Sequence, residues 1–231
     1  DEEVARFAVQ SFRFPGVEIR ARLFRQYPYG SYAAHLLGYI GRISARDQDR
    51  IEELDQTNNY RGTAYIGKDG LEKRYETQLH GRTGFEEVET SAGGRAVRVL
   101  SRSPAVPGEN LMLSIDIRLQ EAAEKALQGK RGALVAIDPR NGDILAMVSA
   151  PSFDPNLFVE GIDSENWKLL NESIDRPLLN RPLTGTYPPG STFKPFMALA
   201  ALERGFRTAS STLRDPGYFD FGSRRFMDDK I

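Results

Sequence analysis

Apolar positions along the chain change period several times, and each change marks an element. In residues 1–12, Val4, Phe7, Ala8 and Ser11 recur at helical spacing, and Pro15-Gly16 ends the run. Val17, Ile19, Ala21 and Leu23 then alternate with polar residues, which predicts a strand up to Tyr27-Pro28. After Gly30, small residues lead through His35-Leu36-Leu37 into Gly38-Tyr39-Ile40-Gly41. Ser44 opens a helix predicted to run through Leu54, with Asp47 at its third position as the capping partner. A second helix is predicted from Leu71 to His80, between Gly70 and Gly81, with Leu71, Tyr75 and Leu79 on one face. The charged residues of both helices are expected to form solvent-facing pairs. Phe85 to Glu89 and Ala96 to Leu100 flank Ala92-Gly93-Gly94 and read as a hairpin.

From Ser101 to Glu109 the sequence holds two prolines and a glycine without periodicity, which places a domain boundary near residue 105. Beyond it the pattern predicts a strand (Leu111 to Ile115), a helix (Arg118 to Leu127) and two strands (Ala133 to Ile137, Ile144 to Ser149) around the turn Asp138-Pro139-Arg140-Asn141-Gly142. A hairpin beside a helix is an α+β layer, not a βαβ nucleotide fold. Residues 151–190 contain six of the 13 prolines and one short helix near Trp167. So long an irregular stretch inside a compact domain is either functional or a sign that elements in it have gone unrecognised. It delivers the chain to Ser191.

Composition excludes several classes. The 31 basic and 32 acidic residues are interspersed, giving a formal net charge of -1 and no basic face for a phosphate backbone, so nucleic acid is not an expected partner. With no cysteine there is neither a disulfide framework nor a thiolate metal site. No apolar run approaches the roughly 20 residues that cross a bilayer, so any membrane anchor is expected outside this sequence.

The segment with specific chemistry is Tyr187-Pro188-Pro189-Gly190-Ser191-Thr192-Phe193-Lys194-Pro195-Phe196. Two prolines and a glycine form a stiff turn, and a strongly apolar run follows through Met197, Leu199, Ala200, Ala201 and Leu202, predicting a buried helix that begins at Ser191. Pro195 fits its first turn, where the missing N–H costs no internal bond. Three residues apart, Ser191 and Lys194 would share a face. A serine hydroxyl needs a base to become a nucleophile, and an amine acts as that base once burial and a helix N-terminus lower its proton affinity. Read alone, Ser-x-x-Lys is a weak pattern, and Ser191 could simply be an N-cap serine.

The residues around it closely resemble the nucleophile segment of the class B penicillin-binding proteins, in which Ser-x-x-Lys is the first of three motifs. Arg6-Phe7-Ala8-Val9, Phe12 to Gly16, Tyr27 to Gly30, Ile66-Gly67-Lys68 through Leu79-His80-Gly81, Asp138-Pro139 with Gly142, and Pro151 to Val159 extend the resemblance over nearly the whole chain. Together they are most similar to the penicillin-binding protein 2 group of the rod-elongation machinery. The resemblance implies a non-catalytic pedestal of dimerisation type over 1–105 and the first part of a transpeptidase domain over 106–231. It implies a D,D-transpeptidase of the D-Ala-D-Ala transpeptidase/carboxypeptidase family that cross-links peptidoglycan stem peptides during elongation. Ser191 would be the acylated nucleophile and Lys194 its base, with β-lactams acylating the same serine. It further implies a periplasmic domain of an inner-membrane-anchored protein whose pedestal meets a RodA-type glycosyltransferase and an MreC-type scaffold. As an alternative, the chain by itself would be a non-catalytic module docking those partners. A soluble β-lactamase or carboxypeptidase is disfavoured by the pedestal-like N-terminal region.

The family's second motif, Ser-x-Asn, and third, Lys-Thr-Gly, should lie well beyond Lys194. No Lys-Thr-Gly occurs, and Ser164-Glu165-Asn166 precedes the nucleophile and reads as a chance match. The 231-residue polypeptide is therefore expected to be inactive alone. Asp215-Pro216-Gly217 followed by Asp228 resembles the start of a structural zinc site in some members of the group, although two carboxylates are also what a solvated loop carries. No cofactor is otherwise required. His35 and His80 lack any motif and are expected to pack or cap.

Overall fold

The computed structural model describes residues 2–14, 17, 19, 24–93, 96–212 and 214–228. They fall into two compact units, residues 1–185 and 186–231.

The first unit opens with α1 (Glu2–Gln10) and a 3-10 turn, Ser11–Arg13, after which Phe14 stacks on Phe7 at 5.7 Å. Most of the strand expected up to Tyr27 lies outside the described residues; Val17, Ile19 and 24–27 belong to no strand. α2 (Ala34–Leu37) leads into β1 (Ile40–Arg42), antiparallel to β2 (Tyr65–Gly67) with Ile40 opposite Gly67. Three-residue strands are too short to show a period, and the sequence pattern marks neither. Between them, α3 (Ala45–Glu53) starts as expected, with Ser44 as N-cap and its backbone N–H donating to Asp47 at 2.8 Å.

The helix expected over 71–80 is two, α4 (Gly70–Arg74) and α5 (Glu76–His80), divided at Tyr75. The charge pattern suggested solvent-facing acidic residues here, but Glu72 is buried and Glu76 half-buried. Glu72 accepts from the Tyr27 hydroxyl at 3.1 Å and the Arg25 guanidinium at 2.8 Å. Glu76 accepts from the Gly67 N–H at 2.7 Å and the Tyr60 hydroxyl at 2.8 Å. Both carboxylates tie this helix pair to elements already in place, and the ion pair with Arg25 and the hydrogen bonds replace the water each would lose. Two chain segments cross where Gly38 and Gly70 both have positive φ; a Cβ on Gly38 would lie 1.9 Å from the Asp69 carbonyl oxygen, so only glycine fits.

The predicted hairpin is present as β3 (Phe85–Thr90) and β4 (Ala96–Ser103), exposed along β3 and held by ion pairs between Glu89 and Arg98 at 2.5 Å and Glu86 and Arg102 at 3.1 Å. From there the chain returns to pair Val106 with Arg82. No strand forms at Leu111 to Ile115. Its alternation ends in two isolated hydrogen bonds, Ser114 Oγ to the Ile144 carbonyl at 2.8 Å and the Asp116 N–H to the Leu145 carbonyl at 2.9 Å. α6 (Ile117–Ala126) is capped by Asp116, which accepts from the Arg118 and Leu119 N–H groups. β5 (Gly132–Ile137) and β6 (Ile144–Ala150) form the expected antiparallel hairpin. α6 lies on β6 through Ala123, Ala146 and Val148, packed by Leu127 and Leu134. Fully buried Gln120 acts as a surrogate strand there: its amide accepts from the Met147 N–H at 2.8 Å and donates to the Met147 carbonyl at 2.9 Å.

Residues 151–185 carry α7 (Asn156–Val159), α8 (Ser164–Asn171) and α9 (Arg181–Thr184). They join the early chain to the β5–β6 hairpin. Asn156 exchanges two 2.9 Å hydrogen bonds with the Tyr27 backbone. His35 Nε2 donates to the Pro177 carbonyl at 2.7 Å, and Asn180 donates to the His35 carbonyl at 3.1 Å. Phe153 meets His35 edge-on at 5.0 Å and packs with Phe158 and Ala34 in one core. Residues on both sides of position 105 thus share that core. Burial holds the His35 imidazole below the ordinary histidine range. His80 stacks on Tyr60 at 4.2 Å, so both histidines pack as expected. The Ser164-Glu165-Asn166 tripeptide opens α8, where Asp163 accepts from the Glu165 and Asn166 N–H groups, a capping arrangement.

The second unit contains a 3-10 turn at Gly190–Phe193, α10 (Lys194–Glu203), and the antiparallel pair β7 (Tyr218–Phe221) and β8 (Arg224–Met227).

Candidate active site

Gly190 sets the geometry of the segment that carries Ser191. Its φ is +54° and nothing lies within 4 Å of where a Cβ would stand, so glycine is needed for the left-handed turn, not for space. The turn leads into the 3-10 segment, with the Thr192 N–H and hydroxyl both donating to the Pro189 carbonyl. Ser191 therefore precedes the α-helix, where the sequence had suggested that the helix begins with it. The Lys194 N–H donates to the Ser191 carbonyl oxygen, and α10 starts at Lys194 with Pro195 in its first turn. Side chains three apart eclipse in a 3-10 turn, so Ser191 and Lys194 stand on the same side. Among the described residues no hydrogen bond joins the Ser191 hydroxyl to the Lys194 amine, and both residues are exposed.

The burial expected for this helix is absent. Phe196, Met197, Leu199 and Leu202 are 67%, 58%, 62% and 45% exposed. Among the described residues of the second unit, the helix is accompanied by a short turn and one largely exposed hairpin. Surroundings that would desolvate Lys194 are therefore not provided by the described residues.

Asp215 and Asp228 are 13 positions apart in sequence, yet the β7–β8 hairpin brings both to Gly217. Asp215 Oδ1 accepts from the Gly217 N–H at 2.9 Å, and the Asp228 N–H donates to the Gly217 carbonyl at 3.1 Å. The sequence reading placed no strands there and so missed the device that joins them. Among the described residues no group of three or more His, Cys, Asp or Glu gathers at one point. A tetrahedral zinc takes four ligands, and two carboxylates supply half.

Residues 1–113 match the penicillin-binding protein dimerisation domain and residues 132–228 the penicillin-binding protein transpeptidase domain. The chain belongs to the penicillin-binding protein family. It is 45% identical over 228 residues to the peptidoglycan D,D-transpeptidase MrdA of Escherichia coli K12, covering 98% of this chain and 36% of the relative. MrdA of Haemophilus influenzae is 45% identical over 99% of this chain and 35% of the relative. The chain thus spans about a third of the length of these curated relatives. Among solved structures, Helicobacter pylori PBP2 in complex with MreC superposes with a TM-score of 0.85 at 32% identity, over 98% of this chain and 41% of that one. Pseudomonas aeruginosa PBP2 in complex with WCK 5153 gives 0.75 at 44% identity, over 91% and 42%. The α+β reading and the family resemblance are both borne out by these matches.

Proposed function

We propose that this sequence belongs to a peptidoglycan D,D-transpeptidase that works through an acyl-enzyme on Ser191. The observation that carries the reading is the Gly190–Lys194 turn, which sets Ser191 and Lys194 on one side inside the region matching the transpeptidase domain. Lys194, as the neutral amine, takes the Ser191 proton while Oγ attacks the carbonyl of the D-alanyl-D-alanine amide. The Ser191 backbone N–H, in a first turn where amides lack internal partners, faces the developing oxyanion. Collapse breaks the C–N bond, and the protonated lysine returns the proton to the departing D-alanine amine. An amine of a second stem peptide then attacks the ester and releases Ser191; water in its place gives carboxypeptidase activity. A β-lactam acylates Ser191 by the same attack, but its leaving amine stays tethered.

The same reading places the protein on the periplasmic side of the inner membrane, working with a RodA-type glycosyltransferase and an MreC-type scaffold. The scaffold is supported by the MreC complex of the Helicobacter pylori relative. Asp215 and Asp228 would be two ligands of a structural zinc if further donors join them.

The test is a chimera in which residues 1–231 replace the aligned segment of the Escherichia coli relative. A fluorescent penicillin should label it, Ser191→Ala should abolish the label, and Lys194→Ala should slow labelling about a thousandfold. Labelling that survives Ser191→Ala refutes the assignment. The 231-residue chain alone, lacking Lys-Thr-Gly, should show no adduct by intact mass.

A further inference from the structure

Within the first unit, two stretches far apart in sequence meet at one buried side chain. His35, in α2, is 5% exposed, and its Nε2–H donates to the Pro177 carbonyl at 2.7 Å across 142 positions. The return contact runs from Asn180, whose Nδ2 donates to the His35 carbonyl at 3.1 Å. The ring also meets Phe153 edge-on at 5.0 Å, in a core shared with Ala34 and Phe158. Two polar atoms at this contact are left over. Asn180 Oδ1 is buried without a hydrogen-bond partner, and His35 Nδ1 makes no hydrogen bond among the described residues. A stranded acceptor costs free energy that opening recovers, because water then bonds it.

A neutral imidazole carries one N–H, and here it is engaged by Pro177. A second proton must go on Nδ1, where it brings a charge into the core. Burial is the larger influence against that charge, and Arg181, at the start of α9, adds to it; Asp69, in the turn before α4, favours the charge. The Arg181 guanidinium is held in place by the Asp175 and Arg176 carbonyls, and the Asp175 carboxylate is paired with Arg131. On the side of Phe153, Asp154 accepts from the Asn156 N–H and Nδ2. Tyr39, which meets Phe153 edge-on at 6.1 Å, is a phenol that burial raises further, so it stays neutral whenever His35 titrates. α2 itself carries no other charged residue.

We infer that His35 is an acid-operated latch: a proton taken up on Nδ1 releases α2 from the 175–181 turn and parts the two stretches that meet there. Above the ordinary histidine value the ring is neutral in both forms, and the contact is closed at full strength. The closed form holds the imidazole below its ordinary value of 6.5, whereas the open form returns it to water. As pH falls below that value, the open form binds the proton more readily, and the closed contact weakens. The latch does not depend on the chemistry at Ser191.

The test is hydrogen exchange of the 231-residue chain, corrected for the intrinsic pH dependence of exchange. It is read at the amides of Gly38, Arg181 and Thr184, which donate to the Ala34 carbonyl, Ser149 Oγ and the Asn180 carbonyl. Protection there should fall by up to about tenfold between pH 7.5 and 5.5, the most that one histidine proton supplies over that range. The Gln48 amide in α3 should not follow. His35→Gln keeps an N–H donor near the position of Nε2 but takes up no proton, so its protection should stay level, while His80→Gln should keep the parent's fall. No fall in the parent, the same fall in His35→Gln, or an equal fall at Gln48 would overturn the latch. The imidazole resonances of the folded parent give a reading that needs no variant. His35 should be mainly neutral at pH 6.5, where a free histidine is about half charged, and a ring at least half charged there also overturns it.

Discussion

The junction formed by residues 27–40, Glu72 and 150–181 and the segment around Ser191 use polar groups in opposite ways. The junction holds a set of buried or partly buried polar side chains that are engaged: Glu72 with Tyr27 and Arg25, Asn156 with the Tyr27 backbone, His35 with Pro177. Around Ser191 the hydroxyl and amine are exposed, and so is the apolar helix behind them. Buried hydrogen bonds of this kind hold a fold because breaking one leaves a partner stranded away from water. Exposed, unengaged groups add little to stability and remain available for chemistry. The difference teaches that stability and reactivity are assigned to different residues in this chain.

The largest effect that could break the comparison is in the junction core. Phe153, which is 5% exposed and packs on His35, Tyr39 and Phe158, should cost about 3–4 kcal/mol when changed to alanine, because the ring leaves a cavity among groups that cannot collapse. Ser191→Ala should move the urea midpoint by less than the equivalent of about 0.5 kcal/mol. Comparable losses in both variants would end the distinction.

Next is Glu72→Ala. It strands the Tyr27 hydroxyl, already held well above the ordinary phenol range by burial and then by the Glu72 carboxylate, together with the Arg25 guanidinium. Arg25 is 39% exposed, so water recovers part of the loss, and about 2–3 kcal/mol is expected in urea unfolding. A loss under about 0.5 kcal/mol would mean that Glu72 is a surface charge, as the helical charge pattern suggested.

That contrast shows what a sequence discloses. Elements whose signals are local were legible: the Ser44 and Asp47 cap, the turn from Asp138 to Gly142, and Gly190 before Ser191. Links between distant positions were not. Tyr27 meets Glu72 across 45 positions, Gln120 meets Met147 across 27, and Asn156 meets Tyr27 across 129. No periodicity encodes these contacts, because each depends on where two elements are placed by everything between them. The run from Met197 to Leu202 fails for a related reason: apolarity states that a helix is suited to burial, but not which residues cover it. That Ser191 and Lys194 share one side was legible because their relation is confined to one turn.

A smaller effect comes from Asp47, and it depends on pH. Partial burial would raise its carboxyl, but hydrogen bonds from Lys68 and then Ser44 outweigh that and hold it at about 2. Since the folded value lies below the ordinary carboxylate value of about 3.9, the stabilisation is present above that pH and is lost as pH falls through about 2. Asp47→Asn should therefore be less stable than the parent by about 1 kcal/mol at neutral pH, a figure reduced for solvent screening. The two denaturation curves should converge near pH 2. A constant gap down to that pH would assign the effect to packing.

The smallest expected effect tests the exposed side of the comparison. Leu199 lies in α10 and is 62% exposed. Leucine and alanine are both strong helix formers, differing by a few tenths of a kcal/mol, so Leu199→Ala removes side-chain packing with little change in backbone preference. If water covers this face of the 231-residue chain, the urea midpoint should shift by less than about 0.5 kcal/mol. If another surface covers it, the same change should cost about 2–5 kcal/mol, as in a core. Made in the chimera with the Escherichia coli relative, the variant reads the same face in the presence of the relative's remaining residues. A loss confined to the chimera would show that the helix behind Ser191 gains its cover from those residues, and that burial around Lys194 is supplied in the same step.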